Sequence, residues 1–438
     1  MKQEQINSSF NMRVWLITAG EFLPTDPNPG RPMRTGLLAN YLADMGHKVL
    51  WWTSTFNHTE KVHRYPSNTS VDLSSTLRLK LLHSIGYGRN ISFARLIDHW
   101  GIAQQFLIEA NTEDRPDVIV CSLPTLEFCA AATQYGAKYK VPVIIDVRDL
   151  WPDIFLDLVP RGIASLWRLI LTPLFRSAQL SCRRATAIIG PNQSFINWGL
   201  RNAERAATAN DRVFGFAYPT AKPGDQEIVE AYRFWKGLGI EPNGDQFRVC
   251  FFGAISHQFD LETVINAARQ LDSQGRRFQF IFCGKGDNLL THKRQSEGCA
   301  SVFFPGFVNE VQIWTLMRMA QVGLAPYRDT RNFAGHIPNK VVEYISAGLP
   351  VVSSLSGEFS DILRHQGCGL SYRGSSMEEL VDCLNTLRDN NDLRRSMSEK
   401  AHRLFRESFT VEKVCSSMME FLERGVRTQW NKSVQAGN

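Results

Sequence analysis

Two stretches of the sequence begin in the same way, with a short apolar run, a glycine-bearing loop and a helical pattern. The first starts with RVWLIT at 13–18, and the second starts with FRVCFFGA at 247–254. Apolar runs of this length, alternating with amphipathic helices, are typical of buried parallel strands. A strand, a loop, a helix and a second strand form the start of a Rossmann-type domain. The sequence therefore predicts an α/β fold with two Rossmann-like domains.

The length of the chain agrees with two domains, because 438 residues exceed the size of one ordinary domain. We expect an N-terminal domain over 1–219, a hinge over 220–245, a second domain over 246–410, and a last helix with its tail over 411–438. The hinge is placed where proline and glycine are more frequent. The loop after the first strand lacks G-x-G-x-x-G, which argues against a nicotinamide dinucleotide.

The composition argues against several classes of protein. No run of about 18 apolar residues occurs, so we expect no membrane-spanning helix, and the polar start MKQEQINSSFNM is unlike a signal peptide. The nine cysteines form no C-x-x-C pair, which indicates buried thiols in the reducing cytoplasm and argues against a zinc site. The net charge of +6 permits anionic partners without identifying one, and we expect no nucleic-acid partner.

The segment 335–358, GHIPNKVVEYISAGLPVVSSLSGE, has the pattern of a loop, a helix and an apolar strand. Pro338 suits the first turn of a helix, and Gly348 suits its left-handed end. The free N–H groups at the start of such a helix form an anion site. Lys340 and Glu343 are three residues apart and so share a face near this end. A cation for a diphosphate and a carboxylate for a ribose diol fit this arrangement; a capped surface helix with solvated charges is the alternative.

A second unusual stretch, RDLWPD at 148–153, follows the predicted strand VPVIIDV. Arg148 and Asp149 would lie at the carboxyl edge of the sheet, where open α/β sheets bind ligands. A structural ion pair at this edge is the alternative. Ser122 follows another predicted strand, DVIVC, and would lie at the same edge.

These two stretches carry a resemblance to a known family. PNKVVEYISAGLPVV resembles the donor-site helix of the family 4 glycosyltransferases, and RDLWPD is similar to a run found in their bacterial O-antigen and capsule subgroup, which includes fucosamine-type transferases. The resemblance covers roughly residues 13–425. It implies the GT-B fold, in which two Rossmann-like domains with parallel sheets face each other across a cleft and a C-terminal helix crosses back to the N-terminal domain.

The resemblance also implies donor-binding residues. In this sequence they are Gly30, Arg31 and Arg34 in the first loop, Gly253 and Gly284 after strands of the second domain, Phe307 and Val308 at the nucleotide base, and Gly335, Asn339, Lys340 and Glu343 around the donor helix. A guanidinium of the first loop could hold the diphosphate at two points, with solvated loop arginines as the alternative.

The sequence departs from the family pattern at two of these places. Gly335 stands where the larger family has the first of two glutamates, which removes a carboxylate often placed against the donor sugar. Ser256, His257 and Gln258 stand where much of the family has Arg and Lys against the donor phosphates. The second departure shifts the role of the phosphate clamp towards Lys340 and the helix N-terminus.

On the acceptor side, the resemblance implies Ser122, Arg148 and Asp149 as catalytic residues. Asp149 could act as the base towards the acceptor hydroxyl or could only hold Arg148. The implied function is a retaining, metal-independent transfer of a sugar from a nucleoside diphosphate sugar to a polyprenyl-diphosphate-linked glycan, in the synthesis of O-antigen lipopolysaccharide or capsule. UDP is favoured over GDP, and no cofactor is expected. A non-catalytic sugar-nucleotide-binding subunit is the main alternative, and an NAD-type oxidoreductase is a weaker one.

A lipid-linked acceptor predicts weak contact with the inner leaflet of the membrane, on its cytoplasmic face. Residues 161–189 contain five Arg and no Lys or acidic residue. We name Arg161, Arg168, Arg176 and Arg183 the arginine stripe, because their spacing places them on one helical face. Apolar neighbours such as Trp167 suit an interfacial helix. Pro173 favours a kink, and a core helix with solvated arginines is the alternative.

Overall fold

The chain divides into two compact units. The computed structural model describes residues 10–27, 32–90, 92–156, 164–242, 244–328 and 338–428. The first unit comprises Met1–Gly215 and Val414–Asn438, and the second unit comprises Phe216–Lys413.

Strands and helices alternate through most of the first unit. Its strands are β1 (Arg13–Ile17), β2 (Lys48–Ser54), β3 (Phe56–Asn57), β4 (Val62–His63), β5 (Thr69–Asp72), β6 (Leu77–Leu82), β7 (Val118–Ser122), β8 (Val143–Asp146), β9 (Ala187–Gly190) and β10 (Arg212–Val213). Its helices up to Gly215 are α1 (Arg34–Asp44), α2 (Phe93–Glu109), α3 (Leu126–Tyr139), α4 (Ala164–Ile170), α5 (Thr172–Arg184) and α6 (Gln193–Ala203), with a 3-10 turn at Asp153–Phe155.

The second unit repeats this alternation. Its helices are α7 (Asp225–Gly237), α8 (Leu261–Ser273), α9 (Leu289–Gln295), α10 (Glu310–Met319), α11 (Asn339–Ser346), α12 (Glu358–Gln366), α13 (Met377–Asp389) and α14 (Asn391–Ser408). Its strands are β11 (Phe247–Phe252), β12 (Phe278–Cys283), β13 (Val302–Gly306), β14 (Val322–Ala325), β15 (Val351–Ser353) and β16 (Gly369–Ser371). A last helix, α15, spans Val411–Arg427.

The first unit is built on an eight-stranded sheet in the order β10-β9-β8-β7-β1-β2-β6-β5. The neighbouring strands run parallel except β5, which pairs antiparallel with β6. Strands β7, β8 and β9 are buried along their whole length, as strands covered on both faces are. The chain order reverses between β1 and β7, and ligands of open α/β sheets bind beyond the carboxyl ends of the strands at such a point.

Aromatic side chains fill one face of this sheet. The ring of Trp52 lies 5.1 Å from that of Trp15 and 5.0 Å from that of Phe106, both in edge-on geometry. Phe106 belongs to α2, which packs on α3, and α3 packs on α5. These three helices therefore form one layer over the face that carries Trp15 and Trp52.

The second unit is built on a six-stranded parallel sheet in the order β13-β12-β11-β14-β15-β16, with its reversal between β11 and β14. Helix α11 is fixed to this point by Tyr344, whose hydroxyl donates to the carbonyls of Cys250 (3.2 Å) and Leu324 (3.0 Å). A Cβ on Gly323 would lie 2.3 Å from the Tyr344 ring, so the glycine lets the ring lie flat on β14. The predicted donor helix thus sits over the reversal point.

The segment 220–245, predicted as a hinge, contains α7 and packs into the second unit. Trp235 is fully buried, and its indole N–H donates to the Thr315 hydroxyl at 3.0 Å. From Val414 onward, α15 belongs to the first unit, where Phe421 lies against Phe214 (5.3 Å between ring centroids). The sequence-based prediction that the last helix returns to the first domain is confirmed.

The helices of the described residues do not meet the requirements of a membrane span. None of them is both long enough and apolar enough to cross a bilayer.

Candidate active site

Two glycine turns form the floor of the candidate nucleotide site in the second unit. Gly253 follows β11 and Gly284 follows β12, both with φ in the left-handed region (+141° and +144°). A Cβ on Gly284 would lie 1.8 Å from the Gly253 carbonyl oxygen, and a Cβ on Gly286 would lie 2.2 Å from that of Ile255. The turns therefore pack backbone against backbone, which only glycine permits. Gly253 and Gly286 are exposed whereas Gly284 is buried, so the main chain that a ligand can approach closely is that of Gly253 and Gly286.

Lys340 lies directly below the first of these turns. It is in the first turn of α11, and only 7% of its surface is exposed. Its Nζ lies 3.6 Å from the centroid of the Phe251 ring and 3.9 Å from that of Phe259, which is cation–π geometry. A Cβ on Gly253 would lie 3.1 Å from the same Nζ. The cation and the glycine turn thus meet at the carboxyl end of β11.

Glu343 lies one turn further along α11 and is almost fully buried, with 2% of its surface exposed. Burial, and then the charge of Glu343, raise the pKa of Tyr327 above its usual range. Tyr327 follows β14, so the carboxylate is close to the exit of that strand. The structure therefore brings Lys340 and Glu343 together at the reversal point, in positions that a merely solvated pair would not occupy.

Phe307 and Lys285 form an exposed platform beside the glycine turns. Phe307 follows β13, and 61% of its surface is exposed. Lys285 stands between Gly284 and Gly286, and its Nζ lies 5.6 Å from the centroid of the Phe307 ring. The side chain of the predicted Val308 points into the core instead, because it is buried at 5% exposure. Lys285 was missed from sequence, although a lysine between two glycines of a strand-exit turn is a usable signal.

The loop Ser256–Gln258, which lacks the family's cations, lies beside a different arginine. The backbone N–H of Arg328 donates to the Gln258 carbonyl at 2.8 Å. Its guanidinium lies 3.5 Å from Asp260, which also caps α8 through the Thr263 N–H. Asn339 opens α11 and is half-buried. The predicted Gly335, and likewise Gly30 and Arg31 of the first unit, lie outside the described residues.

In the first unit, a buried ion-pair network occupies the carboxyl edge of the sheet. The guanidinium groups of Arg34 (2.9 Å) and Arg148 (2.8 Å) both contact one carboxylate oxygen of Asp146. Arg148 also pairs with Glu21. Burial opposes ionisation of Asp146, but the two guanidinium groups outweigh it and hold the pKa of this carboxyl below its usual value. We name these four residues the Asp146 network.

The Asp146 network fixes the start of α1 against β8. Glu21 accepts hydrogen bonds from the Thr35 hydroxyl at 2.7 Å and the Thr35 N–H at 3.2 Å, so its charge faces the positive end of the helix. Arg34 also donates to the Gly215 carbonyl at 2.6 Å. Arg34 and Arg148, predicted to act on substrate, are thus held by protein carboxylates. The Nη2 group of Arg34 is buried and has no hydrogen-bond acceptor among the described residues.

Asp149 lies next to the network but has a different environment. Burial raises the pKa of its carboxyl to about 6, and the charge of Arg95 acts in the opposite direction. The Arg95 guanidinium, which the sequence did not single out, lies 4.4 Å from the centroid of the Trp151 ring. Ser122 ends β7 directly beside Asp146 in the sheet register and is buried. A carboxyl that titrates near neutral pH can accept a proton in a reaction.

The arginine stripe does not lie on one straight helix, because Leu171 separates α4 from α5. Arg168 lies over the Phe175 ring at 4.7 Å, and Arg183 pairs with Glu204. Arg176 is exposed. Arg161 lies outside the described residues.

The comparisons with known proteins agree with this architecture. Residues 239–404 match the family model described as glycosyl transferases group 1, whereas no curated protein matches the chain. Sucrose-phosphate synthase from Thermosynechococcus elongatus is similar in structure, with 14% identity, a TM-score of 0.72, and coverage of 96% of this chain and 100% of that chain.

Two further structures show the same likeness. Anabaena Alr3699/HepE in complex with UDP and glucose has 16% identity, a TM-score of 0.64, and coverage of 94% of this chain and 100% of that chain. WaaG, a glycosyltransferase involved in lipopolysaccharide biosynthesis, has 16% identity, a TM-score of 0.60, and coverage of 93% and 99%. The chain thus has the GT-B fold that its sequence predicted, and residues 239–404 of that fold carry the sequence pattern of the group 1 glycosyl transferases.

Proposed function

We propose that this protein is a glycosyltransferase that takes a sugar from a nucleoside diphosphate sugar, with UDP favoured as the nucleotide. One observation carries the proposal: Lys340 and Glu343 are buried together on α11, beneath the Gly253 turn and inside the region that matches the group 1 family. UDP is favoured because a structure of the same fold, HepE, is a complex with UDP and glucose.

The second unit offers each part of such a donor a matching group. The diphosphate would lie over the Gly253 and Gly284 turns, where backbone can approach closely and Lys340 supplies positive charge. The carboxylate of Glu343 would accept hydrogen bonds from the ribose hydroxyls, each worth about 1.5–3 kcal/mol for a charged acceptor. The exposed ring of Phe307 would stack on the base.

The reaction we propose is transfer with retention of configuration. The bond between the anomeric carbon and the diphosphate oxygen breaks, the acceptor oxygen bonds to that carbon, and Asp149 receives the hydroxyl proton. The pKa of Asp149, about 6, leaves the carboxyl ionised at neutral pH and able to do so. The departing diphosphate is stabilised by Lys340 and the start of α11. No metal ion or cofactor is part of the proposal.

We further propose that the acceptor is a glycan on polyprenyl diphosphate, used for O-antigen or capsule, and that the protein works at the cytoplasmic face of the membrane. The RDLWPD run and the likeness to WaaG support the polysaccharide role. The exposed side chains of Arg168 and Arg176 support contact with anionic lipid, each contributing about 1 kcal/mol near such a surface.

The alternative is a subunit that binds a sugar nucleotide without turning it over. The Ser256–Gln258 loop favours it, because no Arg or Lys stands there to stabilise a leaving diphosphate. Slow hydrolysis of the donor by the purified protein would separate an enzyme from this alternative.

The test is a binding and turnover experiment on one variant pair. Calorimetry with UDP, GDP and TDP should give the tightest binding for UDP. Lys340→Met should greatly lower the turnover of the UDP-sugar and change the melting temperature little. Lys293→Met is a matched control, since Lys293 is an exposed lysine of α9. No binding of any of the three nucleotides, or full turnover by Lys340→Met, would refute the assignment.

A further inference from the structure

Helix α2 in the first unit presents a row of apolar side chains to solvent. Phe93 is 80% exposed, Trp100 59% and Ile108 64%, and Ile97 is also exposed. These residues follow each other at intervals of four, three and eight positions, so they lie along one face of the helix. We name them the α2 stripe. It extends over about 22 Å.

The opposite face of α2 is anchored in the core. Ile102, Ala103 and Phe106 are almost completely buried against the sheet. The Ser92 side chain accepts a hydrogen bond from the Arg95 N–H and so caps the helix. The helix is therefore held in register, and its exposed face cannot turn inward to bury the α2 stripe. Gln104 is exposed on the same face and separates Trp100 from Ile108, so the contiguous apolar part of the stripe is Phe93, Ile97 and Trp100. Exposed large apolar side chains grouped in this way are typical of an interaction site.

The acidic side chains of α2 do not oppose a negatively charged partner. The two acidic residues of the helix do not contribute free negative charge: Asp98 is buried and accepts the Gly86 N–H at 2.8 Å, and Glu109 pairs with Lys80 at 2.9 Å. Helix α2, all of which the structure describes, therefore has no unpaired carboxylate that would repel a negatively charged partner.

The neighbouring helices of the same layer also expose apolar side chains, together with arginines. Helix α2 packs on α3, α3 on α5, and α4 contacts α5. On α4 the exposed side chains are Leu166, Trp167, Arg168, Leu169 and Ile170. Residues 164–184 contain four Arg and no acidic residue. Exposed aromatic and aliphatic side chains with interspersed arginines are the composition of an interfacial membrane surface.

We propose that the α2 stripe inserts into the boundary between head groups and acyl chains of an anionic phospholipid bilayer, with the arginines of α4 and α5 in contact with the head groups. The inference rests on the proposed membrane-bound acceptor and adds the apolar anchor to it. A second copy of the chain fits less well, because a symmetric contact over this layer would bring Arg168 and Arg176 towards their copies, and residues 164–184 contain no carboxylate to pair them.

The experiment measures binding to vesicles of phosphatidylglycerol and phosphatidylcholine. Phe93→Ser with Ile97→Ser should weaken binding at least about tenfold, since each side chain loses its burial in lipid. Val229→Ser with Leu290→Ser, two exposed apolar positions of the second unit, is the matched control and should bind like the wild type. UDP affinity by calorimetry should be equal in all three proteins.

Brominated lipids locate the inserted side chain. The exposed tryptophans among the described residues are Trp100 and Trp167. Bromine in the upper acyl chain should quench wild-type fluorescence, and Trp100→Phe should lose part of that quenching while it keeps vesicle binding. Equal quenching in Trp100→Phe, or equal binding by the Phe93–Ile97 variant, would overturn the role of α2.

The remaining outcomes are also decisive. Binding lost on Arg168→Gln with Arg176→Gln, but kept by the Phe93–Ile97 variant, would leave the arginines as the contact and remove the α2 stripe. A concentration-dependent mass of the wild type that the Phe93–Ile97 variant abolishes would assign the stripe to a second copy. Failure of UDP binding in every protein, with vesicle binding intact, would refute the proposed function and leave the membrane surface standing.

Discussion

Gly253 and Lys340 meet at the carboxyl end of β11, where a Cβ on the glycine would lie 3.1 Å from the lysine Nζ. The φ of Gly253 is +141°, in a region that residues with a Cβ rarely adopt. A side chain at position 253 would therefore make an unusually close contact with the Lys340 Nζ, and the lysine would have to shift.

Gly253→Ala should impair nucleotide binding more than stability. We expect the backbone strain to cost about 1–3 kcal/mol of unfolding free energy, and the displaced Lys340 to reduce UDP affinity beyond that. Gly239→Ala is the control, because Gly239 also has a positive φ (+76°), but a Cβ at this position would meet no other atom within 4 Å. Denaturant unfolding and calorimetry measure the two effects. Equal UDP affinity in the two variants would show that the approach to Lys340 has no role.

Glu343→Gln should weaken UDP binding by about tenfold or more, because an amide replaces a charged acceptor of the ribose hydroxyls. The neutral side chain keeps its volume, so the melting temperature should change little. Binding of inorganic diphosphate, which has no ribose, should be unaffected and serves as the internal control. Unchanged UDP affinity would move the ribose contact to another residue.

Phe307→Ala should weaken the binding of UDP and leave the binding of inorganic diphosphate intact, because only the base loses its stacking partner. The loss of stacking should cost about 1–3 kcal/mol of binding free energy. Leu290→Ala removes another exposed apolar side chain of the second unit and is the control. Lys285→Met tests the neighbouring cation. If Lys285 contacts the phosphates, the variant should bind both UDP and inorganic diphosphate more weakly. Equal UDP affinity in Phe307→Ala and Leu290→Ala would exclude stacking on this ring.

The sequence predicts those features of the molecule that depend on residues close together in the chain. Short apolar runs such as 249–252, which are rich in aromatic and β-branched residues and bounded by glycine, predict buried strands. The three-residue spacing of Lys340 and Glu343 places both on one face of a helix, whichever way the helix packs. Lys285 has a local signal too, its place between Gly284 and Gly286.

Partner choice across the fold cannot be predicted in this way. Arg34 and Asp146 are 112 residues apart, and Glu21 and Arg148 are 127 apart. Many carboxylates could pair with these arginines, and the sheet order alone decides which ones do. The contact of Arg95 with Trp151 has the same origin, because it joins α2 to the loop after β8. Sequence therefore indicates reactive residue types at this edge and leaves open which of them face a substrate.

Asp149→Asn should separate a proton acceptor from a structural carboxyl. Because the pKa of Asp149 in the folded protein, about 6, lies above the unfolded value, burial of the neutral form stabilises the fold at low pH and this contribution is lost as pH rises through 6. The variant should therefore be more stable than the wild type at about pH 8, by up to about 3 kcal/mol, and similar to it at about pH 4.

Sugar transfer should show the complementary dependence. If Asp149 accepts the proton, wild-type turnover rises with pH through about 6, and Asp149→Asn loses both the rise and most of the rate. Asp44→Asn, at the exposed end of α1, makes the same change of charge and is the control. A variant with gained stability and full turnover would leave Asp149 without a chemical role.

Asp146→Asn should be among the most destabilising single changes in the first unit. It leaves Arg34 and Arg148 buried with Glu21 as their one remaining carboxylate in the Asp146 network, and removing one partner of a buried pair costs about 3–5 kcal/mol. Asp245→Asn, which breaks the exposed pair with Arg277, should change stability little.

The pKa of Asp146 is lowered in the folded protein, so the contribution of its charge to stability is present above the unfolded pKa and is lost as pH falls. The difference between wild type and Asp146→Asn in urea unfolding should therefore shrink below about pH 4. A constant difference across this range would mean that the variant acts through packing and not through the charge of Asp146.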